Sequence, residues 1–456
     1  MDRFFNPGSA AVIGASADPD KGGHALAYNF SLALGEGFFP VNPRYSQLMG
    51  RPCYPSVDDL PLTPDLAVIL LPPAAVEQAL RACARKGVTR VMIQSAGFAE
   101  VGPAGQALQE RCLAIARDHG MRVWGPNCIG LIDGVGNKAL SFMPPERWQG
   151  VLRPGGVSLI VQSGALAGGF LMQVLADGYF GLNKACSLGN RLDVNECDVL
   201  EYLAGDPHTQ VVGMYLESLA DPARLRRAVQ DLGRPVVLLK GGLSQDGARA
   251  ALSHTGSLAG NAAIGEGFFR QIGLHRAHDF LELFDLVKAL YLWRGRQGGR
   301  RVAVITWSGG AGIVNADHLE RQGLALAALG PDTLERLRRV YPAWMAPGNP
   351  ADIWPAIERS GRLEAFRQSL GALLDDPQVD AVQVHYFMQP ELLDQCAESL
   401  APAGDSAKPV AVWVSGDPAQ FRAFRELVEP LGCAVFTEIS RGARALGLLA
   451  GRGSNP

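Results

Sequence analysis

Short apolar, β-branched runs recur along the chain, each followed by a helix-length segment and a glycine-rich turn. The first third holds Ala11-Val12-Ile13-Gly14, Leu66-Ala67-Val68-Ile69-Leu70 and Val88-Thr89-Arg90-Val91-Met92-Ile93. The middle holds runs over residues 157–161, 211–215 and 236–239, and the last third over 302–305, 381–384 and 410–414. Runs that are apolar throughout, rather than alternating, are buried on both faces, and their alternation with helices predicts parallel sheets with helices on either side. One or two sheets would be crowded by so many strands; three accommodate them.

Two polar or proline-rich breaks divide the pattern, Phe142-Met143-Pro144-Pro145 through Pro154-Gly155-Gly156 and the stretch from Arg294 to Arg301. Before the second break, Phe280 to Leu290 carries apolar residues at helical spacing, a helix expected to close the middle domain. The expected organisation is a Rossmann-like domain over residues 1–130 and flavodoxin-like parallel-sheet domains over 150–295 and 300–456, all α/β.

Composition narrows the class. The chain has 456 residues, 47% hydrophobic and 19% charged, enough for several cores at about 100–200 residues per domain. Its net charge is −3 and the basic residues are dispersed, so no nucleic acid is expected. The start, Met1 to Pro7, has no apolar segment behind a basic end, and no stretch reaches the ~18 apolar residues of a membrane span. Eight cysteines without a CxxC pair suggest neither a disulfide framework nor a zinc site. A soluble cytoplasmic protein with reduced thiols is expected.

The first strand runs into Gly14-Ala15-Ser16-Ala17-Asp18-Pro19-Asp20-Lys21-Gly22-Gly23 and then into a helical pattern. Such a turn presents unpaired N–H groups at a helix start, suited to phosphate. The spacing is not G-x-G-x-x-G, and Phe39-Pro40-Val41-Asn42-Pro43-Arg44 offers a cation where a dinucleotide site has a ribose-binding acid. An NAD-dependent oxidoreductase therefore fits poorly, and Arg44 suits a phosphorylated ribose such as that of coenzyme A. A tight connection in a Rossmann-like sheet is the competing reading of the turn. Loops at Leu71-Pro72-Pro73-Ala74, Ser95-Ala96-Gly97-Phe98 and Trp124-Gly125-Pro126-Asn127-Cys128 should end neighbouring strands and converge on one crevice.

Among eight histidines, His254 stands apart because its small neighbours, Leu252-Ser253-His254-Thr255-Gly256-Ser257, leave the imidazole open to phosphate. Gln162-Ser163-Gly164-Ala165 follows a strand and opens a helix, where Ser163 is placed to cap and the N–H groups to face an anion. Glu217, ending Met214-Tyr215-Leu216-Glu217, is a carboxylate at the same sheet edge that would hold the ring of an imidazole nucleophile.

Together these loops resemble the nucleoside-diphosphate-forming acyl-CoA synthetases, the superfamily of succinyl-CoA synthetase and ADP-forming acetyl-CoA synthetase. The matching pieces, in order, include Ala11-Val12-Ile13-Gly14-Ala15-Ser16, Ser95-Ala96-Gly97-Phe98, Gly125-Pro126-Asn127-Cys128, Gln162-Ser163-Gly164, Ser187-Leu188-Gly189-Asn190, Asp198-Val199-Leu200-Glu201-Tyr202-Leu203 and Ser253-His254-Thr255-Gly256. From Val302 on, Thr306-Trp307-Ser308-Gly309-Gly310 and Asn349-Pro350-Ala351-Asp352 resemble the ligase domain of the ADP-forming branch, with Trp307 a departure.

The resemblance implies CoA contacts at Gly14, Ser16, Lys21, Arg44, Pro72, Pro73 and Ser95, an acyl-end loop at Asn127 and Cys128, phosphate at Ser163, Gly164 and Ala165, a phosphohistidine at His254 and its orienting acid at Glu217. It implies a ligase working through acyl-phosphate. The chain has no G-x-x-x-x-G-K-[ST] loop and no segment left for ATP-grasp lobes. ATP or ADP with Mg²⁺ is therefore expected on a separate ATP-grasp beta subunit, in an alpha2beta2 hetero-oligomer. A CoA-binding sensor is the competing class, and acetate is the default among the small carboxylic acids.

Overall fold

A computed structural model describes residues 1–247, 249 and 262–451. Contacts divide the chain into two units, Met1–Leu283 and Phe284–Pro456, the first carrying two large sheets and the second one. All nine apolar runs form strands, and all nine pair in parallel.

The first sheet orders its strands Phe38–Val41, Ala10–Ile13, Leu66–Ile69, Arg90–Ile93, Arg122–Trp124, so the chain reverses its winding between Ala10–Ile13 and Leu66–Ile69. A crevice opens at the carboxyl ends of strands at such a point. Its helices follow from local signals. Pro73 starts the helix Pro73–Arg85 at a position needing no N–H, and Val76, Leu80 and Cys83 recur at helical spacing on the buried face.

The second sheet orders its strands His275–Ala277, Val236–Lys240, Val211–Leu216, Pro154–Val161, Leu182–Ser187, Gly130–Asp133, Lys138–Ser141. The first five run parallel, and the last two form an antiparallel extension. That hairpin precedes the first polar break, so the second sheet begins in sequence earlier than the break. The helix Pro222–Leu232 shows why the intervening segments are helical: Asp221 caps the Arg224 N–H, Pro222 opens the helix, Leu225, Ala228, Val229 and Leu232 make its buried stripe, and Gly233 ends it with φ 61°.

Charged groups tie the two sheets of this unit together. Arg122, on the edge strand of the first, bonds Asp193 at 2.8 Å and Asp198 at 2.9 Å, and Asp198 also receives Arg224 at 2.9 Å. Burial pushes the Asp198 carboxyl up, but its bonds from Arg224, Arg122 and the Asn195 N–H outweigh that and hold it below the usual carboxylate range.

In the second unit the order is Ala325–Leu326, Arg301–Thr306, Ala381–Met388, Val410–Gly416, Cys433–Phe436, with Ala351–Asp352 pairing the end of Arg301–Thr306. The helix expected to close the middle domain is present as Phe280–Leu292, but the division between units falls inside it, ahead of the polar stretch from Arg294. The reason is chemical. Asp285 pairs with Arg441 at 3.1 Å, and Lys288, 1% exposed, pairs with Glu429 at 3.1 Å beneath the ring of Phe436. No helix among the described residues is long and apolar enough to cross a membrane.

Candidate active site at the carboxyl edges of two sheets

The crevice of the first sheet is built by backbone pressed against backbone. Gly14, at φ 95°, packs so closely on the next strand that a Cβ there would lie 2.1 Å from the Leu70 carbonyl. Its N–H bonds Val41 O at 3.0 Å, and Ser16 N–H bonds Gly23 O at 3.2 Å, folding the turn onto the start of the helix Gly22–Leu34. Ser16 is buried, and its hydroxyl accepts the Asp18 N–H at 3.1 Å. No side chain caps that helix and no acid sits in its first turn, leaving N–H groups directed to where an anion would lie.

Lys21, the residue at the helix start, is exposed and pairs with Asp18 at 3.0 Å. Arg44 is also exposed; its segment is fixed by Asn42, which donates to Ala15 O at 2.7 Å and accepts the Arg44 N–H at 2.9 Å. Two exposed cations and an uncapped helix start suit a phosphorylated ligand. His24, in this first turn, has a buried Nδ1 with no protein hydrogen-bond partner among the described residues.

The neighbouring loops are pinned to one another. Ser95 is buried, with its hydroxyl accepting the Leu71 N–H at 2.9 Å and its carbonyl accepting the Asn127 N–H at 2.9 Å. It therefore joins the loops rather than presenting its hydroxyl to a ligand. Pro72 is exposed and Pro73 packs against Gly97. Asn127 sits at φ 59° and half exposed, while Cys128 turns its thiol into the core against Ile93 O at 3.5 Å, and burial pushes that thiol up to about 12. Any ligand contact from this loop falls to Asn127 and to backbone, because an inward, protonated thiol is inert.

In the second sheet, strand Pro154–Val161 passes through Gln162 and Ser163 into the helix Gly164–Asp177, with Ala165 in its first turn. Here the two sheets meet: a Cβ at Gly164 would stand 3.0 Å from Asn127 O. Gln162 is buried, and its Oε1 accepts the N–H of Glu217 at 2.8 Å and of Ser218 at 3.3 Å. Glu217 is itself buried at 8% exposure, the Tyr215 hydroxyl hydrogen-bonds its carboxylate, and Lys240 Nζ donates to its carbonyl at 2.6 Å.

Burial, with Arg276 and Arg191 nearby, pulls the Lys240 ammonium down to about 8 against the opposing pull of Glu217. Lys240 thus reaches the Glu217 carbonyl, and Arg191 reaches Ser218 beside it. Lysine and arginine donors beside a single carboxylate at this strand end suit phosphate oxygens and fit Mg²⁺ poorly. Of the expected site residues, the structure brings Asn127, Ser163, Gly164 and Glu217 to one edge; His254 lies outside the described residues.

In the second unit the two motifs singled out in the sequence also meet. Ser308 caps the helix Gly309–Arg321 through the Ala311 N–H at 3.2 Å, and Gly309 faces Asp352. Asn349 is structural: its amide bonds Val304 N–H, Val302 O and Ala327 O. Trp307 lies under the Arg362 guanidinium, 4.5 Å from its ring, among Trp354 and Phe387.

Three domain families match the chain: a CoA binding domain over residues 8–133, a succinyl-CoA ligase-like flavodoxin domain over 154–290 and a ligase-CoA domain over 302–417. The alpha subunit of ADP-forming acetate–CoA ligase II of Pyrococcus furiosus is 37% identical, over 83% of this chain and 81% of that one. The alpha subunit of ADP-forming acetate–CoA ligase I of the same organism is 33% identical, over 98% of this chain and 97% of that one. Other ADP-forming acetate–CoA ligases are longer, and the chain spans 66%, 54% and 48% of three of them. Among solved structures, the dinucleotide-forming acetyl-coenzyme A synthetase 1 of Candidatus Korarchaeum cryptofilum, in complex with phosphate and ADP, matches at a TM-score of 0.86 and 30% identity, covering 100% of this chain and 99% of that chain.

Proposed function

The chain belongs to the ADP-forming acyl-CoA synthetase family of acetate–CoA ligases, and from that membership we propose that it is the alpha-type subunit of such an enzyme. It interconverts a small carboxylic acid, CoA and ATP with acyl-CoA, ADP and phosphate. Acetate is the first substrate to try, since acetate–CoA ligases are its relatives. The nucleotide and its Mg²⁺ belong on a separate beta subunit of ATP-grasp type, in an alpha2beta2 assembly in the cytoplasm; the reading is supported by two relatives that are themselves alpha subunits.

The observation that carries the reading is the meeting of the Asn127 carbonyl with the start of the helix at Gly164, beside Glu217. A loop suited to the thioester end of CoA thereby adjoins a helix start suited to phosphate. Gly14, Ser16 and the uncapped helix at Gly22, with Lys21 and Arg44, would hold the phosphates of CoA, Pro72 and Pro73 would flank its path, and Asn127 would lie at the thioester. Phosphate at Ser163, Gly164 and Ala165 attacks the thioester carbonyl; the C–S bond breaks and CoA leaves as its thiolate, to be protonated by solvent.

The acyl-phosphate then gives its phosphoryl group to His254. A ring nitrogen forms the N–P bond as the P–O bond to the acyl group breaks, and the carboxylate leaves. Glu217 holds the other ring nitrogen, fixing the tautomer and balancing the charge. Two steps with good leaving groups replace one difficult transfer, and ADP finally receives the phosphoryl group.

Incubating the chain with acetyl-CoA and labelled phosphate tests this. Acid-labile label is expected on the unaltered chain and none on His254→Asn; equal labelling of the two sinks the assignment. A panel of acyl-CoAs in the same assay identifies the acid. Labelling should also respond to pH through Lys240. Its ammonium is lost as pH rises through about 8, so phosphate binding and labelling are expected to fall above that pH. Lys240→Arg keeps its charge and should carry labelling to higher pH; an unchanged profile would remove Lys240 from the phosphate site.

A further inference from the structure

Between the loop that ends the first sheet and Glu217 in the second lies the turn Ser187–Leu192, bonded on both sides. Towards the first sheet, Asn190 N–H bonds Pro126 O at 2.8 Å and Leu192 N–H bonds Gly125 O at 2.9 Å. Gly189, at φ 63°, lies so near that a Cβ would come within 2.0 Å of Pro126 O. The Asn190 amide donates to Glu100 Oε2 at 2.6 Å, and Glu100 Oε1 accepts the Gly97 N–H at 2.6 Å. Burial pushes Glu100 up, but these bonds outweigh it and hold its carboxyl below the usual range. The turn therefore moves with the loops at residues 95–98 and 125–127.

Towards Glu217 the same turn sends one side chain. Arg191 has φ 55°, a backbone conformation unusual for a bulky residue and held only where surrounding contacts dictate it. Its side chain is 7% exposed; Nη1 bonds Glu196 Oε2 at 2.8 Å and Ser218 O at 3.0 Å, and Nη2 bonds Ser218 Oγ. Glu196, fully buried, turns its other oxygen to the Ala220 N–H at 2.8 Å. One guanidinium–carboxylate pair thus grips both sides of the Glu217–Ala220 turn, one residue from Glu217.

We propose that Arg191 is a positioning residue that couples the CoA loop to Glu217. This rests on the ligase reading above. A displacement at Gly125–Asn127 passes through the backbone of residues 189–192 to the guanidinium, and from there to Ser218. Gln162 and Lys240 hold Glu217 from its own sheet, whereas Arg191 alone among these three comes from a turn bonded to the CoA loop. The planar fork meets a carboxylate, a carbonyl and a hydroxyl at once, which the point charge of lysine does not reproduce. Coupling of this kind is reciprocal, so CoA orders the Glu217 turn and an ordered turn favours CoA.

Arg191→Gln and Arg191→Lys test it by three measurements on the whole chain: CoA affinity by calorimetry, acid-labile labelling from acetyl-CoA and phosphate, and hydrogen exchange of residues 217–220 with and without CoA. In the parent, CoA is expected to slow exchange at 217–220. Arg191→Gln should abolish that response and lower the labelling rate ~100-fold, the scale of loss from a misplaced reacting group, with CoA affinity within about threefold of the parent. Arg191→Lys should recover part of the labelling.

Three results overturn the proposal. They are an Arg191→Gln variant whose 217–220 segment still responds to CoA, labelling at the parent rate, or parallel loss of CoA binding, labelling and melting temperature, which marks a merely structural residue. A parent that takes no label at all overturns the phosphohistidine reading instead, and hydrogen exchange still decides the coupling.

Discussion

A Gly14→Val variant is expected to lose CoA affinity by ~100-fold or more, read by calorimetry, while the sheet of the second unit stays folded. The residue stands at φ 95°, and its added carbon would meet Leu70 O at 2.1 Å and Leu71 Cδ2 at 3.1 Å. A side chain in that backbone region costs about 1–2 kcal/mol, and overpacking against backbone costs about 1–3 kcal/mol. Neither strand end is free to yield: Gly14 is bonded to Val41, and Leu70 N–H is bonded to Ile13 O at 2.9 Å. Relief comes from opening the crevice itself, which spoils the helix start at Gly22 as an anion site. At ~1.4 kcal/mol per tenfold, these costs correspond to a loss of about two orders of magnitude. Parent-like affinity would mean that CoA does not lie against this turn.

Glu217→Gln is the second large effect. The substitution keeps shape and hydrogen bonding but removes the negative charge, so the turn should stay in place, fixed as it is by Gln162, Lys240 and Arg191. An imidazole receiving a phosphoryl group gains positive charge, and this carboxylate is the acid proposed to balance it, while Arg191 and Arg276 are paired with Glu196 and Glu266. Labelling from acetyl-CoA and phosphate is expected to fall by about 10²–10⁴-fold, the range associated with losing a positioned acid–base partner. CoA affinity should hold. Because the carboxylate also accepts from Tyr215, Tyr215→Phe should show a far smaller loss; equal losses would point to the hydrogen bond rather than the charge.

What the sequence disclosed follows the physics of each element. Runs such as Leu66–Ile69 and Val236–Leu239 are apolar on both faces and could be read directly. Leu182–Ser187 could not, because its buried Asn183 and Lys184 look like surface residues until their partners are known: Asp206, Thr209 and Ser158 for the amide, Asp133 for the ammonium. Arg122–Trp124 and His275–Ala277 are short and carry paired arginines.

The site divides in the same way. Glycine turns at 14 and 164 announced themselves, as did Glu217 at a strand end. Ser95 and Cys128 sit in loops at the carboxyl edge of the first sheet, but their side chains serve the loops and the core, and no local pattern distinguishes an inward thiol from an outward one. Arg191, Gln162 and Lys240 act through partners 27, 55 and 23 residues away in sequence, a relation that only the fold reveals.

The segment Gly125–Ile129 leaves the last strand of one sheet, Arg122–Trp124, and enters Gly130–Asp133 in the next with no slack between them. It is a fixed gauge between two frameworks. One added residue would shift Asn127 against Gly164, and with it the proposed spacing from CoA to phosphate. A protein engineer wishing to separate the first sheet from the second would find this the worst place to cut.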